Sequence, residues 1–127
     1  MADFTYCVEK RLIIVPVRIY SSTHYIEENF IFDTGASYTI IDYRLAKSLG
    51  YTKSGSSAPS RISSVVGEEM GFRTQIEGIE AFGKRIAPFE IACHSLFEQG
   101  VSGLLGMTFL ENINFCIFPS EKIIRVQ

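Results

Sequence analysis

Cysteine, histidine and aspartate are scarce in this chain. Its 127 residues hold three cysteines, two histidines and three aspartates, Asp3, Asp33 and Asp42. Cys7, Cys93 and Cys116 are odd in number, widely spaced and without a Cys-x-x-Cys pair, which argues against a disulfide framework and predicts reduced thiols acting as small core residues. His24 and His94 stand seventy residues apart with no ligand spacing around them, so no metal site is expected. Cys93 and His94 are adjacent, and neighbours on a strand point to opposite faces, which makes a thiol–imidazole pair geometrically poor. Gly100 to Gly106 is glycine-rich but lacks the Gly-Lys-Ser/Thr of a phosphate cradle. No cofactor is expected from any of these groups.

Charge and hydropathy narrow the partners in the same way. A net charge of −2 with scattered Lys and Arg leaves no basic footprint for nucleic acid. The many Phe and Tyr residues at alternating positions read as core rather than as a base-stacking platform. No apolar run reaches the ~20 residues of a membrane span, and Met1 to Lys10 lacks a basic stretch followed by an apolar core. The expectation is a soluble cytoplasmic protein with neither a nucleic-acid nor a membrane partner.

What is present is a β-rich pattern with 46% hydrophobic residues, enough for one core and one domain over residues 1–127. Leu12 to Tyr20 is rich in β-branched residues, with Pro16 pushing part of it toward an edge or bulge. Ser21 to His24 is a polar break before Tyr25 to Phe32, so the two runs predict a hairpin. Asp42 can cap a helix over Tyr43 to Leu49, with Gly50 ending it. The serine-rich stretch Thr52 to Ser64 predicts a mobile loop. Strands are predicted near Arg73 to Ile79 and Ile86 to Cys93, joined at Gly83, then Asn114 to Phe118, a turn over Pro119 to Lys122, and Ile123 to Val126. Asp3 lies at a terminus expected to fray.

Against this background, Asn29-Phe30-Ile31-Phe32-Asp33-Thr34-Gly35-Ala36-Ser37 drives one carboxylate out of an apolar strand into a glycine turn. An ionised carboxylate taken from water is costly unless paired, so an Asp in this place points to chemistry. Asp-Thr-Gly is also an ordinary turn after a strand. A second motif, Gly103-Leu104-Leu105-Gly106-Met107-Thr108-Phe109-Leu110, follows some seventy residues later. Both motifs in this order, with Ile40-Ile41 and Leu45 to Tyr51 between them, resemble the single-domain, retropepsin-like aspartic proteases from about Leu12 to Val126.

The resemblance implies an all-β fold, mainly strands with one or two short helices, closed into a retropepsin-like barrel. It implies that Gly103 to Gly106 threads a loop made by the first motif and braces the catalytic turn. Asp33, Thr34 and Gly35 take the catalytic positions: Asp33 as one member of a carboxylate dyad, Thr34 locking two turns through its hydroxyl, and Gly35 offering peptide-facing backbone. Ala36, Leu104, Leu105 and Gly106 fall on the floor of the substrate cleft. Val65, Val66, Gly67 and Glu68 fall on a flap assigned to Ser64 to Phe72, whose tip would carry Glu68 and Glu69 either as selectivity elements or as an ordinary exposed turn.

A dyad needs a second aspartate, and neither Asp3 near the terminus nor Asp42 at a helix start is a credible partner. The second carboxylate is then Asp33 of another copy, which predicts a homodimer with the site on a two-fold axis and a peptide or protein substrate. Two carboxylates in contact cannot both ionise easily, so the pair shares a proton; aspartic-protease dyads are the standard worked case of this effect. Ala36 stands where pepsin-like members carry Ser, and without that hydroxyl to favour the charged form a milder pH optimum is expected. The terminal strands are equally compatible with pairing across the two-fold axis and with an intramolecular closing hairpin. A catalytically silent dimerisation or peptide-binding module on the same fold is the alternative, and an activity that awaits release from flanking sequence is a third.

Overall fold

The computed structural model describes residues 1–55, 58–64, 67–96 and 100–127. In chain order the strands are β1 (Ala2–Thr5), β2 (Cys7–Glu9), β3 (Leu12–Tyr20), β4 (Tyr25–Phe32) and β5 (Ile40–Asp42), followed by helix α1 (Tyr43–Ser48) and a 3-10 turn at Lys53–Gly55. Then come β6 (Ala58–Ser64), β7 (Gly67–Ile76), β8 (Gly78–Ala81), β9 (Lys84–Ile86), β10 (Phe89–His94) and β11 (Gly103–Leu105), helix α2 (Met107–Leu110), β12 (Phe115–Phe118) and β13 (Ile123–Val126).

Ten strands form one sheet in the order β6-β7-β10-β5-β11-β4-β3-β8-β9, with β2 added on β3. It is a curled half-barrel. Where a closed barrel was expected, the path runs open from β6 to β9, with no pairing between these end strands among the described residues.

The β3–β4 hairpin forms as expected, in register from Ile14 opposite Ile31 to Tyr20 opposite Tyr25. Its turn is tied by Ser21, whose N–H donates to the His24 carbonyl at 2.7 Å while its hydroxyl accepts the His24 N–H at 3.1 Å. Pro16 explains how β3 shares its other side. Strand β2 covers Leu12–Ile14 and β8 covers Arg18–Tyr20, so the residue that lacks an N–H falls in the gap between them.

Helix α1 also forms where its caps predict. The Asp42 carboxylate accepts the Arg44 N–H at 3.1 Å. At the other end Gly50, at φ +90°, lets its own N–H reach the Lys47 carbonyl and the Tyr51 N–H reach Ala46, closing the helix in a Schellman turn.

Two expectations fail for a common reason, that strand pairing overrides local propensity. Ala58–Ser64 is a strand, where its Ser and Pro content predicted a loop, because β7 offers a full ladder from Ala58 opposite Arg73 to Ser64 opposite Gly67. Asp3 is not frayed: β1 pairs along β13, and the Arg125 guanidinium grips the Asp3 carboxylate with two hydrogen bonds of 2.7 and 3.1 Å. The three-stranded sheet β1-β13-β12 therefore joins both ends of one chain, which is the intramolecular of the two arrangements open to the terminal strands.

This small sheet seals the main core. Ile124 is fully buried, and Phe32 makes edge contacts with Phe115 at 5.2 Å and Phe82 at 5.9 Å, while Phe4 meets Phe82 at 5.5 Å. Cys93 belongs to the same core at zero exposure, and burial pushes its thiol up to about 12.

A thiol reagent should therefore consume two equivalents from the native protein, at the exposed Cys7 and Cys116, and a third only on unfolding. Because the unfolded thiol ionises from about pH 8.5 while the native one keeps its proton to about 12, the Cys93 contribution to stability is complete below the first value and lost toward the second. Urea midpoints of wild type and Cys93→Ala should accordingly converge as pH rises through that window.

Candidate active site

Asp33 follows directly on β4, and its N–H donates to the Leu105 carbonyl at 3.0 Å, so the residue still rides on the sheet. The chain then turns. The Asp33 carbonyl accepts the Ala36 N–H at 3.2 Å, and the carboxylate oxygen Oδ1 accepts the Gly35 N–H at 2.9 Å. A Cβ on Gly35 would lie 3.3 Å from that oxygen, so a larger residue would press on the carboxylate. Asp33 is half-buried, Thr34 and Gly35 are exposed, and Ala36 is half-buried.

The loop from Thr34 to Thr39 is held from below by the second motif. Strand β11 runs between β4 and β5, parallel to the first and antiparallel to the second. Beyond it the Met107 N–H donates to the Ala36 carbonyl at 2.8 Å and the Thr108 N–H to the Ser37 carbonyl at 3.1 Å. Gly106 is the tight point: a Cβ there would sit 2.3 Å from the Tyr38 carbonyl oxygen and 2.8 Å from that of Ala36. Its role is close backbone passage, and it is itself buried.

Two residues of this brace escaped the sequence reading. Thr39, at zero exposure, accepts the Gly106 N–H on its hydroxyl at 3.1 Å and also accepts the Thr108 hydroxyl at 3.1 Å. Thr108 in turn accepts the Thr39 N–H at 2.9 Å. The only sequence signal was a polar residue in front of the apolar run Ile40-Ile41; its partner lies 69 residues away.

The sheet sorts the remaining predicted residues by face. Phe30, Phe32 and Leu105 point into the main core, whereas Leu104 packs with the smaller cluster of Ile40, Ala92, Leu96 and Val101. Leu105, expected on the cleft floor, is thus wholly buried on the opposite side, and its carbonyl accepts the Asp33 N–H. Leu104 stays half-buried, paired with Ile31, and alternation sets both on the side to which Asp33 projects.

The flap expected over Ser64 to Phe72 falls on the end of β6 and the start of β7. Val65 and Val66 lie outside the described residues; on either side of them Ser64 pairs with Gly67. Gly67 and Glu68 begin the returning strand, Glu68 opposite Ser63 and Glu69 opposite Ile62, so both acidic residues belong to a ladder rather than to a tip turn.

Asp33 lines neither of two clefts measured on this single chain. One, of about 490 Å³, is bounded by Asp42, Arg44, Leu45, Gly100, Val101 and Ser102. Another, of about 280 Å³, includes Tyr43, Phe72 and His94. Both flank α1, away from the Asp33 carboxylate.

The family profile described as "gag-polyprotein putative aspartyl protease" matches residues 25–112, which contain both motifs and the whole sheet between them. The chain belongs to this aspartyl protease family. Among solved structures it is similar to a retropepsin-like aspartic protease from Rickettsia conorii, with a TM-score of 0.73 at 16% identity, over 100% of this chain and 99% of that one. At that identity the likeness speaks for the fold. A search of curated proteins finds no match.

Removing the brace should be costly. Thr39→Val strands the buried Gly106 N–H and is expected to lower unfolding free energy by about 1–3 kcal/mol, with Thr39→Ser retaining most of it. Gly106→Ala drives a methyl into two carbonyl oxygens and should do at least as much damage. Urea denaturation of the three variants beside wild type measures the order.

Proposed function

We propose that this chain is an aspartic endopeptidase acting as a homodimer, in which Asp33 of each subunit supplies half of a carboxylate dyad. One observation carries the reading: among three aspartates, two already have structural partners. Asp3 is engaged by Arg125, whose hydrogen bond holds its carboxyl below the usual carboxylate range. Asp42, buried, accepts the Arg44 N–H and, at 2.8 Å, the Leu96 N–H. Asp33, half-buried after β4, accepts the Gly35 N–H, on the turn to which the resemblance to retropepsin-like proteases gives the catalytic role.

In the dimer, the ionised carboxylate takes a proton from a water held between the two Asp33 side chains as the water oxygen bonds to the peptide carbonyl carbon. The protonated Asp33 of the partner subunit donates to the carbonyl oxygen in the same step. The tetrahedral diol then collapses: the carboxyl proton passes to the amide nitrogen, the other carboxylate takes a proton from a diol hydroxyl as the carbonyl re-forms and the C–N bond breaks, and acid and amine products leave with the dyad again holding one proton. No covalent acyl-enzyme forms. Thr34, exposed on each turn, locks the two turns together through its hydroxyl. The peptide lies extended between the β6–β7 hairpin and the floor carrying Ala36 and Leu104. Free thiols at three separate positions suit a reducing compartment such as the cytoplasm.

Purified wild type and Asp33→Asn should be screened against a diverse peptide library across pH while mass in solution is recorded. Cleavage should fall by about 10²–10⁴ or more in the variant with the dimer retained. The wild-type rate should not still be climbing below about pH 3, where an ordinary Asp is already protonated. Equal cleavage by both proteins, or a wild type that stays monomeric at high concentration, overturns the shared-dyad mechanism. Peptide binding without cleavage would instead establish the silent module.

A further inference from the structure

One row of side chains crosses the sheet on the face to which Asp33 projects. Ile31 pairs with Leu104, Leu104 with Ile40, Ile40 with Ala92 and Ala92 with Arg73, and directly paired residues share a face. The row is apolar from Ile31 to Ala92, then ends on a guanidinium. Arg73 donates from Nη1 to the Tyr38 hydroxyl at 3.3 Å and lies 5.7 Å from the centre of that ring. Tyr38 is 41% exposed, one of few large hydrophobic side chains left in water, and it stands on the catalytic loop five residues after Asp33.

From β4 to β7 there are four strand spacings, about 19 Å, which an extended peptide covers in about six residues. A peptide reaching from Asp33 toward β7 meets the half-buried Ile31 and Leu104, passes over Ile40 and Ala92, which are buried with Leu96 and Val101 in the smaller core cluster, and ends at a cation with an aromatic wall. Glu90, on the same face of β10, approaches Arg73 only to 3.7 Å and is itself 48% exposed, so a bound carboxylate can take its place.

We infer that Tyr38 and Arg73 are specificity-determining residues that select an acidic side chain on the substrate, up to about six residues from the scissile bond, with Glu90 as an internal competitor. The inference rests on the endopeptidase reading for its consequence in turnover, while recognition of the acidic side chain needs only peptide binding. Contacts this far from the reacting atoms act by orienting the peptide, so their loss appears in kcat/KM for acidic substrates and spares neutral ones.

The test uses peptide pairs that differ by Glu or Gln at each position one to six residues from a cleaved bond, with wild type, Arg73→Gln, Tyr38→Ala and Glu90→Gln, all checked for native circular dichroism. Wild type should favour one Glu peptide over its Gln twin about tenfold. Arg73→Gln should erase that ratio with neutral peptides still cleaved, Tyr38→Ala should reduce it, and Glu90→Gln should raise it severalfold, a gain that lost folding cannot mimic. In parallel, Asp33→Asn protein with and without Arg73→Gln is bound to the same peptides on an array. Cleavage with no Glu preference, or a preference indifferent to Arg73→Gln, overturns the subsite and leaves the protease reading intact. Arg73-dependent binding of acidic peptides without wild-type cleavage keeps the subsite and removes the protease. Neither cleavage nor acid-selective binding overturns both.

Discussion

The passage of Gly106 beneath the carbonyls of Ala36 and Tyr38 is the constraint on which the rest of the site depends. A strand inserted between β4 and β5 must go by without a side chain at the crossing, and once through it supplies N–H donors from Met107 and Thr108 to the loop above. The loop is thereby fixed from both ends: Asp33 at its start is tied to Leu105, and Thr39 at its end is tied to Gly106 and Thr108. A carboxylate on an unbraced turn would sample many positions. Here its backbone is bound into the sheet, which is the preorganisation that acid–base chemistry at a shared water requires.

The same sheet packs a hydrophobic cluster on each of its two faces. Phe30, Phe32, Ile41, Cys93, Leu105 and Phe72 pack inward with the terminal sheet. The residues alternating with them, from Ile31 through Leu104 and Ile40 to Ala92 and Arg73, lie on the face that carries Asp33. On that second face Ile40 and Ala92 are buried with Leu96 in a smaller core, so the residues left accessible to a ligand are Ile31, Leu104 and Arg73 at its two ends. Leu104 and Leu105, neighbours in one motif, fall on opposite sides of that division.

A single chain presents half of the proposed site. Its other aspartates are spent on structure, Asp3 in clasping the two chain ends together and Asp42 in joining the start of α1 to the segment after β10. Those local uses leave no second aspartate to offer Asp33, and the turn that holds it is open at Thr34 and Gly35.

Local rules were enough for much of this protein. The β3–β4 hairpin, the capped helix α1, the C-terminal hairpin and the two motifs with their spacing were all legible, because alternation, caps and turn residues act within a few positions of each other. Tertiary pairing decided what those rules could not reach. It turned Ala58–Ser64 into a strand against β7, moved Glu68 and Glu69 off a tip and into a ladder, and buried Leu105 while leaving Leu104 half-buried on the opposite face. It also joined Thr39 to Thr108 and Tyr38 to Arg73 across dozens of residues. Hydrogen-bond ladders and close packing link residues by position in space, and a one-dimensional pattern carries no record of which distant strand will arrive beside it.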